Sequence, residues 1–209
     1  MLRVLIADDH EIVRRGLKQI LLEGFSFAYI EEAHDCPTLV EKAISGNWDI
    51  IVSDLAMPGG GGLEALRQIA QHEIKTPVLI LSIYPEDQYA LRVMKAGASG
   101  YLNKDAAPEE LVTAVNRILS GRRYITEGIA EKLIQKLDRQ SDVPLHELLS
   151  DREWDVFIFL AKGKPISEIS DLLSLRNTTV STYRTRILTK MNMKTNAEII
   201  QYALENKLI

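Results

Sequence analysis

Five polar side chains in the first half of the chain have the types needed for metal-assisted phosphate chemistry: Asp8, Asp9, Asp54, Ser82 and Lys104. Three carboxylates brought close together repel one another strongly in a low dielectric, and a hard divalent cation relieves that repulsion. Mg²⁺ accepts one or two carboxylates and keeps other coordination positions for waters and a phosphoryl oxygen. The residue types therefore predict a magnesium pocket that handles a phosphoryl group.

The acids and one backbone carbonyl are the expected metal ligands of this pocket. We expect Asp9 and Asp54 to hold the metal together with the carbonyl of Ala56. Asp8 is expected to act nearby through a water molecule. The Asp54 carboxylate can also act as a nucleophile and form an acyl phosphate.

Lys104 and Ser82 are the candidates for contact with the phosphoryl group itself. The ammonium of Lys104 would supply a positive charge, and the Ser82 hydroxyl would donate to a phosphoryl oxygen. Taken singly, such residues also have ordinary structural roles, since acids cap helices, lysines sit in solvated loops and serines end strands. A magnesium-dependent phosphatase with an aspartyl nucleophile is another alternative, but it needs an acid two residues after the nucleophile, where this chain has Ala56.

A sheet has to position these residues, and the apolar pattern predicts one. Buried strands are expected over residues 2–7, 49–53 and 77–81, with weaker candidates at 27–30 and 100–102. Between them, apolar residues recur three to four positions apart, which predicts helices. Strands that alternate with helices form a doubly wound, parallel α/β sheet, whose functional groups collect at the carboxyl ends of the strands. The five polar residues lie at or just beyond such ends.

Short motifs extend this pattern across residues 1–121. They are Asp8-Asp9, Ser53-Asp54-Leu55-Ala56-Met57-Pro58, Gly62-Leu63-Glu64, Ser82, Lys95-Ala96-Gly97-Ala98 and Gly100-Tyr101-Leu102-Asn103-Lys104. On these motifs the segment resembles the receiver domain of two-component response regulators, which has a flavodoxin-like fold with a five-stranded sheet. The resemblance implies that Asp54 takes a phosphoryl group from a partner sensor histidine kinase with Mg²⁺ bound. It also implies that the domain is not an enzyme beyond assisting its own phosphotransfer and dephosphorylation.

The same resemblance implies a switch. Lys104 matches the lysine that contacts the phosphoryl group in the family, and Ser82 and Tyr101 match its switch pair. Phosphorylation adds a charge of about −1.5 to −2. We therefore expect Ser82 to move inward to donate to the phosphoryl group and Tyr101 to rotate into the vacated space. Plain packing at an edge strand is the alternative role for Tyr101.

Composition limits the other possibilities. Apolar residues make up 46% of the chain and charged residues 26%, as in ordinary globular proteins. A run of about 18 apolar residues, which a membrane span needs, does not occur, and the first ten residues turn acidic too early for a signal peptide. The four histidines are too scattered for a zinc cluster. A single cysteine, Cys36, suits a reducing compartment, and we expect a cytoplasmic protein.

The alternation of strands and helices stops after the fifth strand and the helix that follows it. Residues 122–146 predict a linker with one helix, and residues 147–209 predict an all-α domain of four helices that starts at a capping box over 150–153. Five cations and no acid lie from residue 176 to 194. A stripe of one sign in a nearly neutral domain indicates nucleic acid, although a solvated face has the same signature.

The third of these helices, predicted over residues 178–191, has two chemically different sides. Val180, Tyr183, Ile187 and Met191 form an apolar side that is expected to face the core. The other side carries short hydroxyl side chains and cations, which either form a solvated surface or contact bases and phosphates in a major groove. The expected DNA contacts are Thr178, Ser181, Thr182, Arg184, Thr185, Arg186, Thr189 and Lys190.

A second set of motifs accompanies this helix. The set comprises Leu149-Ser150-Asp151-Arg152-Glu153, Ala161-Lys162-Gly163, Glu168-Ile169, Thr179-Val180-Ser181-Thr182-Tyr183, Ile187 and Lys190-Met191. With them, residues 149–209 resemble the helix-turn-helix output domain of NarL/FixJ (LuxR-type) response regulators. The resemblance implies binding to double-stranded promoter DNA as a homodimer that phosphorylation favours. The residues it implies for the dimer interface are Ile199, Ile200 and Ala203.

Four positions depart from the pattern of that family: Pro165, Ile166, Arg176 and Ser181. Arg176 stands where a serine usually caps the recognition helix, so we expect Asn177 to cap it one residue later. A module in which the last helices bind a protein instead of DNA is the remaining alternative, and steep salt dependence of duplex binding would argue against it.

Overall fold

A computed structural model describes residues 1–126, 128, 130, 131 and 144–209. The chain divides into two compact units, Met1–Gln135 and Lys136–Ile209. Most of the helix that the sequence predicts within residues 122–146 lies outside the described residues. In the part of the chain that is described, no helix has both the length and the apolar character needed to cross a bilayer.

The first unit is the predicted parallel α/β sheet with flanking helices. Its strands are β1 (Leu2–Ala7), β2 (Ala28–Ala33), β3 (Ile50–Asp54), β4 (Val78–Ser82) and β5 (Gly100–Asn103), in the order β2-β1-β3-β4-β5. The helices between and after them are α1 (Glu11–Gly24), α2 (Cys36–Ser45), α3 (Gly61–Gln71), α4 (Glu86–Lys95) and α5 (Ala107–Leu119). Every pair of neighbouring strands is parallel, so the carboxyl ends of all five strands share one edge of the sheet.

Apart from Ser53, Asp54 and Ser82 at their carboxyl ends, the central strands β3 and β4 are apolar because both of their faces are covered. β3 and β4 are buried at every position, and their side chains join a core that includes Leu21 of α1 and Leu111 of α5. The chain passes from β1 outward to β2 and then returns to β3 on the other side of β1. Such a reversal of strand order opens a crevice at the carboxyl ends, which is where α/β proteins place their ligands.

After α5 the chain returns along the outer edge of β5. The Tyr124 amide donates to the Ser99 carbonyl at 3.0 Å, and the Tyr124 carbonyl accepts from the Tyr101 amide at 2.9 Å. A side chain at Gly100 would have its Cβ 2.9 Å from Tyr124, which explains the glycine at this position. The segment around Tyr124 thereby covers part of a strand edge that would otherwise expose unpaired backbone groups.

Within the described residues 144–209, the second unit contains the four helices that the sequence predicts. Its helices are α6 (Asp151–Ala161), α7 (Ile166–Leu172), α8 (Asn177–Lys190) and α9 (Asn196–Glu205). The capping box at the start of α6 is present, because Ser150 accepts from the Glu153 amide and Glu153 accepts from the Ser150 amide. Val180, Ile187 and Met191 are buried as predicted, whereas Tyr183 is only half-buried.

The predicted cap of α8 is wrong. The N-cap position is Arg176, whose side chain makes no capping hydrogen bond, and Asn177 is already the first residue of the helix. The Asn177 Oδ1 atom instead accepts a hydrogen bond from the Ser170 hydroxyl at 2.7 Å. Asn177 therefore joins α8 to α7.

Candidate functional site

Two buried acids at the carboxyl edge of the sheet share one ammonium group. The Nζ atom of Lys104 lies 2.7 Å from Asp8 Oδ2 and 2.9 Å from Asp54 Oδ2. Asp8 follows β1, Asp54 ends β3 and Lys104 follows β5, so the parallel sheet brings together residues that are far apart in the sequence. Asp8 and Asp54 are almost inaccessible to solvent. The expected convergence of these three side chains is present.

Asp9 lies at the exposed side of this pocket. One carboxylate oxygen of Asp9 lies 2.8 Å from the Nδ1 atom of the exposed His10, and the backbone amide of His10 donates to Asp8 Oδ1 at 2.8 Å. One potential metal-binding atom from each of Asp8, Asp9 and His10 falls within 4.8 Å of the others. The sequence prediction did not include His10, although its position directly after the acid pair could have indicated it.

Burial gives Asp54, the candidate phosphoacceptor, a pKa that is unusually high for a carboxyl group. The pKa of Asp54 is raised to about 6, mainly because burial disfavours the charged form; Lys104 opposes this effect and Asp8 adds to it. Burial alone would lower the pKa of Lys104, but the charges and hydrogen bonds of Asp54 and Asp8 outweigh it and raise that pKa. The pocket therefore holds more negative charge than Lys104 balances.

This excess of negative charge fits a divalent cation. Asp8 and Asp54 together carry two negative charges against the single positive charge of Lys104, and Asp9 adds a third carboxylate where solvent can reach it. Carboxylate oxygens are the ligands that Mg²⁺ prefers, and its hydration suits a site that is open on one side. The residues present therefore fit the metal that the sequence predicts.

Glycines bring the loop after β3 close to Asp54. A Cβ atom at Gly62 would lie 2.4 Å from the Asp54 carbonyl oxygen, and one at Gly61 would lie 2.5 Å from the Leu55 carbonyl oxygen. The first turn of α3 can therefore pack directly against the backbone at the end of β3, where Asp54 lies. In the same loop, the backbone amide of Ala56 hydrogen-bonds to the Asp54 carboxylate, which lowers the pKa of that group in part.

Both predicted switch residues, Ser82 and Tyr101, form hydrogen bonds with the backbone of Tyr84. The Ser82 hydroxyl accepts a hydrogen bond from the Tyr84 amide at 3.0 Å. The Tyr101 hydroxyl donates to the Tyr84 carbonyl at 2.7 Å. Tyr101 is buried, so its ring already lies inward in this state. Its predicted rotation stays a prediction.

The hydroxyl side of α8 is exposed. The hydroxyls of Thr182, Thr185 and Thr189 each donate to the carbonyl four residues earlier, at 2.9–3.1 Å, so their hydrogens are used within the helix. Arg186 is exposed on the same part of the surface, beside a shallow depression of about 320 Å³ that Thr178 and Thr182 also line. Exposed hydroxyls and a cation on one helix face are the kinds of group that contact bases and phosphates in a major groove.

Two of the predicted DNA contacts are bonded within the second unit. The Nε atom of Arg184 donates to Asn196 Oδ1 at 2.7 Å. The Nζ atom of Lys190 lies 2.6 Å from the buried Glu153 carboxylate. These partners orient both cations along the domain surface. Contact with DNA through them stays a prediction.

Comparison with known families identifies both units. Residues 4–116 match the model of the response regulator receiver domain, and residues 147–203 match the model of bacterial regulatory proteins of the luxR family. The chain is a response regulator of the NarL/FixJ family. Its fold class, with a receiver sheet followed by a helical output domain, is the one predicted from the sequence.

Curated relatives resemble this response regulator along its whole length. It is 35% identical over 209 residues to the response regulator UvrY of Escherichia coli K12, an alignment that covers 100% of this chain and 96% of UvrY. It is 34% identical over 214 residues to the response regulator GacA of Pseudomonas aeruginosa PAO1, with coverage of 100% and 98%. The family assignment as a transcriptional response regulator therefore holds for both units together.

Solved structures support the same assignment. A LuxR-family two-component response regulator from Aurantimonas sp. SI85-9A1 has a TM-score of 0.59 and 36% identity over 66% of this chain and 98% of that one. The response regulator ChrA of a heme-sensing two-component system has a TM-score of 0.51 and 32% identity over 100% of this chain and 98% of that one.

The dimer residues expected for this response regulator need correction. Ile199 and Ala203 are fully buried inside the second unit, where they pack in its core. A second copy cannot contact them without rearranging the domain, so the prediction is wrong for these two residues. Ile200 is partly exposed and stays a prediction.

Proposed function

We propose that this response regulator accepts a phosphoryl group on Asp54 from a sensor histidine kinase and then binds double-stranded promoter DNA through α8. The observation that carries the proposal is the placement of Asp54, a buried carboxylate with a raised pKa that shares Lys104 with Asp8. Such a carboxylate can attack phosphorus, and the Lys104 ammonium beside it can stabilise the incoming negative charge. Promoter DNA lies in the cytoplasm, where we place the protein.

The residues of the pocket divide the work of phosphotransfer. Asp9, Asp54 and the Ala56 carbonyl would hold Mg²⁺, with Asp8 acting through water, and the ion would neutralise charge on the phosphoryl oxygens. An oxygen of Asp54 forms a bond to phosphorus as the phosphorus–nitrogen bond of the kinase phosphohistidine breaks. The Lys104 ammonium lies within bonding distance of both carboxylates and can contact the phosphoryl oxygens during the transfer.

The output step is assigned to the second unit. We divide the chain into a receiver at 1–121, a linker at 122–146 and a DNA-binding domain at 147–209. Exposed hydroxyls and Arg186 on α8 provide contacts to bases and phosphates. Phosphorylation would favour a homodimer that places two copies of α8 on paired half-sites.

Labelling with a small phosphodonor tests the acceptor. Wild-type protein with Mg²⁺ and acetyl phosphate is expected to form an acyl phosphate that phosphate-affinity electrophoresis resolves. Asp54→Asn should abolish it, whereas Asp171→Asn, which changes an exposed acid of the second unit, should leave it unchanged. Persistent labelling of Asp54→Asn would refute the assignment.

Selection from random duplex DNA, with and without beryllofluoride, tests the output. The duplex that emerges is expected to bind Thr182→Ala and Arg186→Ala less tightly, by about tenfold for a lost base contact. Gln201→Ala, an exposed change on α9, should bind as the wild type does. Failure to enrich any duplex in either state would favour the protein-binding alternative.

A further inference from the structure

An arginine from α1 contacts the backbone of the acidic loop, outside the chemistry described above. The Nη1 atom of Arg14 donates to the Asp8 carbonyl at 2.8 Å. The Nε atom of the same guanidinium donates to Glu32 Oε2 at 3.1 Å, and Lys18 donates to the other oxygen of Glu32 at 3.1 Å. The Arg14 side chain is 14% exposed, so it is held between the helix and the sheet.

The fold explains why Arg14 reaches this carbonyl. Arg14 lies in the first turn of α1, and Lys18 follows one turn later on the same side of the helix. Glu32 lies near the carboxyl end of β2, in register with Ile6 of β1. Burial raises the pKa of Glu32, but hydrogen bonds from Lys18 and Arg14 outweigh it and hold that pKa below its usual value. Glu32 is therefore an ionised anchor for the guanidinium.

The remaining polar atoms of Asp8 are also bonded. Its amide donates to the Ala33 carbonyl at 3.3 Å, and its two carboxylate oxygens accept from the His10 amide and Lys104. The Asp8 carbonyl belongs to the peptide that leads into Asp9, so the bond from Arg14 fixes the plane of that peptide. The orientation of the Asp9 side chain depends on this plane.

We propose that Arg14 is a positioning residue for the metal pocket, which acts by holding the Asp8–Asp9 peptide in the orientation that binds a divalent cation. The proposal rests on the proposed function, because it takes Asp8 and Asp9 as acids of a magnesium site. Glu32 and Lys18 contribute by fixing the guanidinium.

The sign of the effect separates positioning from simple electrostatics. A guanidinium close to a metal site repels a divalent cation, so removal of its charge alone would tighten metal binding. Loss of positioning would weaken it. Arg15 provides a matched control, because it is the next residue of the same helix, has the same charge, and pairs with Glu11 at the surface with 75% of its side chain exposed.

Metal binding by the full chain tests the proposal directly. Mn²⁺, which accepts the same oxygen ligands, would be followed by the electron paramagnetic resonance signal of the free ion, and Mg²⁺ affinity would be measured by displacement. Arg14→Gln is expected to weaken binding about three- to tenfold, less than the loss of a residue bonded directly to a metal ligand. Arg15→Gln should bind equally well or slightly more tightly. Glu32→Gln should weaken binding in the same direction as Arg14→Gln.

The possible outcomes are distinct. Equal or tighter binding by Arg14→Gln, relative to the wild type, would overturn the inference. Absence of metal binding by the wild type would instead refute the magnesium pocket of the proposed function. If Arg14→Gln does not fold, as judged by circular dichroism, Arg14→Lys decides: it keeps the charge but cannot reach both partners, so weaker binding supports positioning and unchanged binding refutes it.

Discussion

Lys190→Gln is expected to destabilise the second unit, because it removes the cation bonded to a buried carboxylate. The Lys190 ammonium lies 2.6 Å from Glu153 Oε2; the Glu153 side chain is 4% exposed and that of Lys190 is 41% exposed. The same Glu153 oxygen accepts from the Ser150 amide at 2.8 Å in the capping box. In the variant, Glu153 keeps the capping bond and loses its counter-ion.

The structure bounds the size of this effect. Removing one partner of a fully buried ion pair costs about 3–5 kcal/mol, because the other charge is left uncompensated. Lys190 is partly solvated, however, so water replaces part of what it provides to Glu153. We expect a loss of about 1–2 kcal/mol in the free energy of unfolding near neutral pH.

The loss should depend on pH with a definite sign. Burial raises the pKa of Glu153, but hydrogen bonds from Lys190 and from Ser150 outweigh it and place that pKa below its usual value. A carboxyl group with a lowered pKa in the folded state stabilises the fold above its unfolded pKa, about 4.3. That stabilisation disappears as the pH falls through the folded pKa. The gap between wild type and Lys190→Gln is therefore expected to narrow on acidification.

Urea unfolding at about pH 7 and at about pH 3, well below the unfolded pKa of the carboxyl group, measures this gap. In a Trp48→Phe background, the fluorescence of Trp154 reports on the second unit, where it is buried in α6. Lys162→Gln, which changes an exposed lysine just after the same helix, serves as the control and should be nearly neutral. A gap that is equal at both pH values, or no larger than that of the control, would refute the reasoning.

Three further predictions concern other parts of the molecule. Gly62→Ala should destabilise the first unit by about 1–3 kcal/mol in urea unfolding, because the new Cβ would meet the Asp54 carbonyl at 2.4 Å. Tyr124→Phe should cost about 0.5–1 kcal/mol near neutral pH, because it removes the hydrogen bond to Glu110. Burial and this bond raise the pKa of Tyr124 to about 12, so the wild-type advantage should be full below pH 10 and fade as the pH rises toward 12. Arg186→Ala should reduce the slope of log affinity against log salt by about 0.9 if Arg186 contacts a phosphate.

The sequence predicts the central strands well and the edge strand β2 poorly, for a physical reason. β3 and β4 are buried on both faces, so the residues before their polar carboxyl ends form uninterrupted apolar runs. β2 lies at the edge of the sheet and carries Glu31 and Glu32 just before its last residue; both bond to cations of neighbouring helices. Its polar end hides the strand, and the predicted segment at 27–30 stops short of the observed Ala28–Ala33.

What the sequence did not reveal at the candidate sites is information that a helical wheel lacks. A wheel places Lys190 on the polar side of α8, but it cannot show that Glu153 of another helix lies within reach. It cannot show that α9 turns Ile199 into the core of its own domain either. Asn177 has the right type for a cap, yet the Ser170 hydroxyl takes its side-chain oxygen. These outcomes depend on contacts between helices, which local spacing does not encode.

Hydrogen bonds to the backbone of Tyr84 connect Ser82, at the pocket, with Tyr101, in the edge strand of the receiver sheet. Ser82 holds the Tyr84 amide, and the Tyr84 carbonyl holds the Tyr101 hydroxyl, so displacement of Ser82 toward Asp54 would strain or break the first bond. The amide of Tyr101 in turn donates to the Tyr124 carbonyl, in the segment that leads out of the sheet. Each of these hydrogen bonds contributes a modest net free energy, about 0.5–1.5 kcal/mol. The charge that a phosphoryl group adds is therefore large enough to change which of these bonds form. A change at Ser82 can thus alter the end of the receiver through three hydrogen bonds among four residues, without unfolding the sheet.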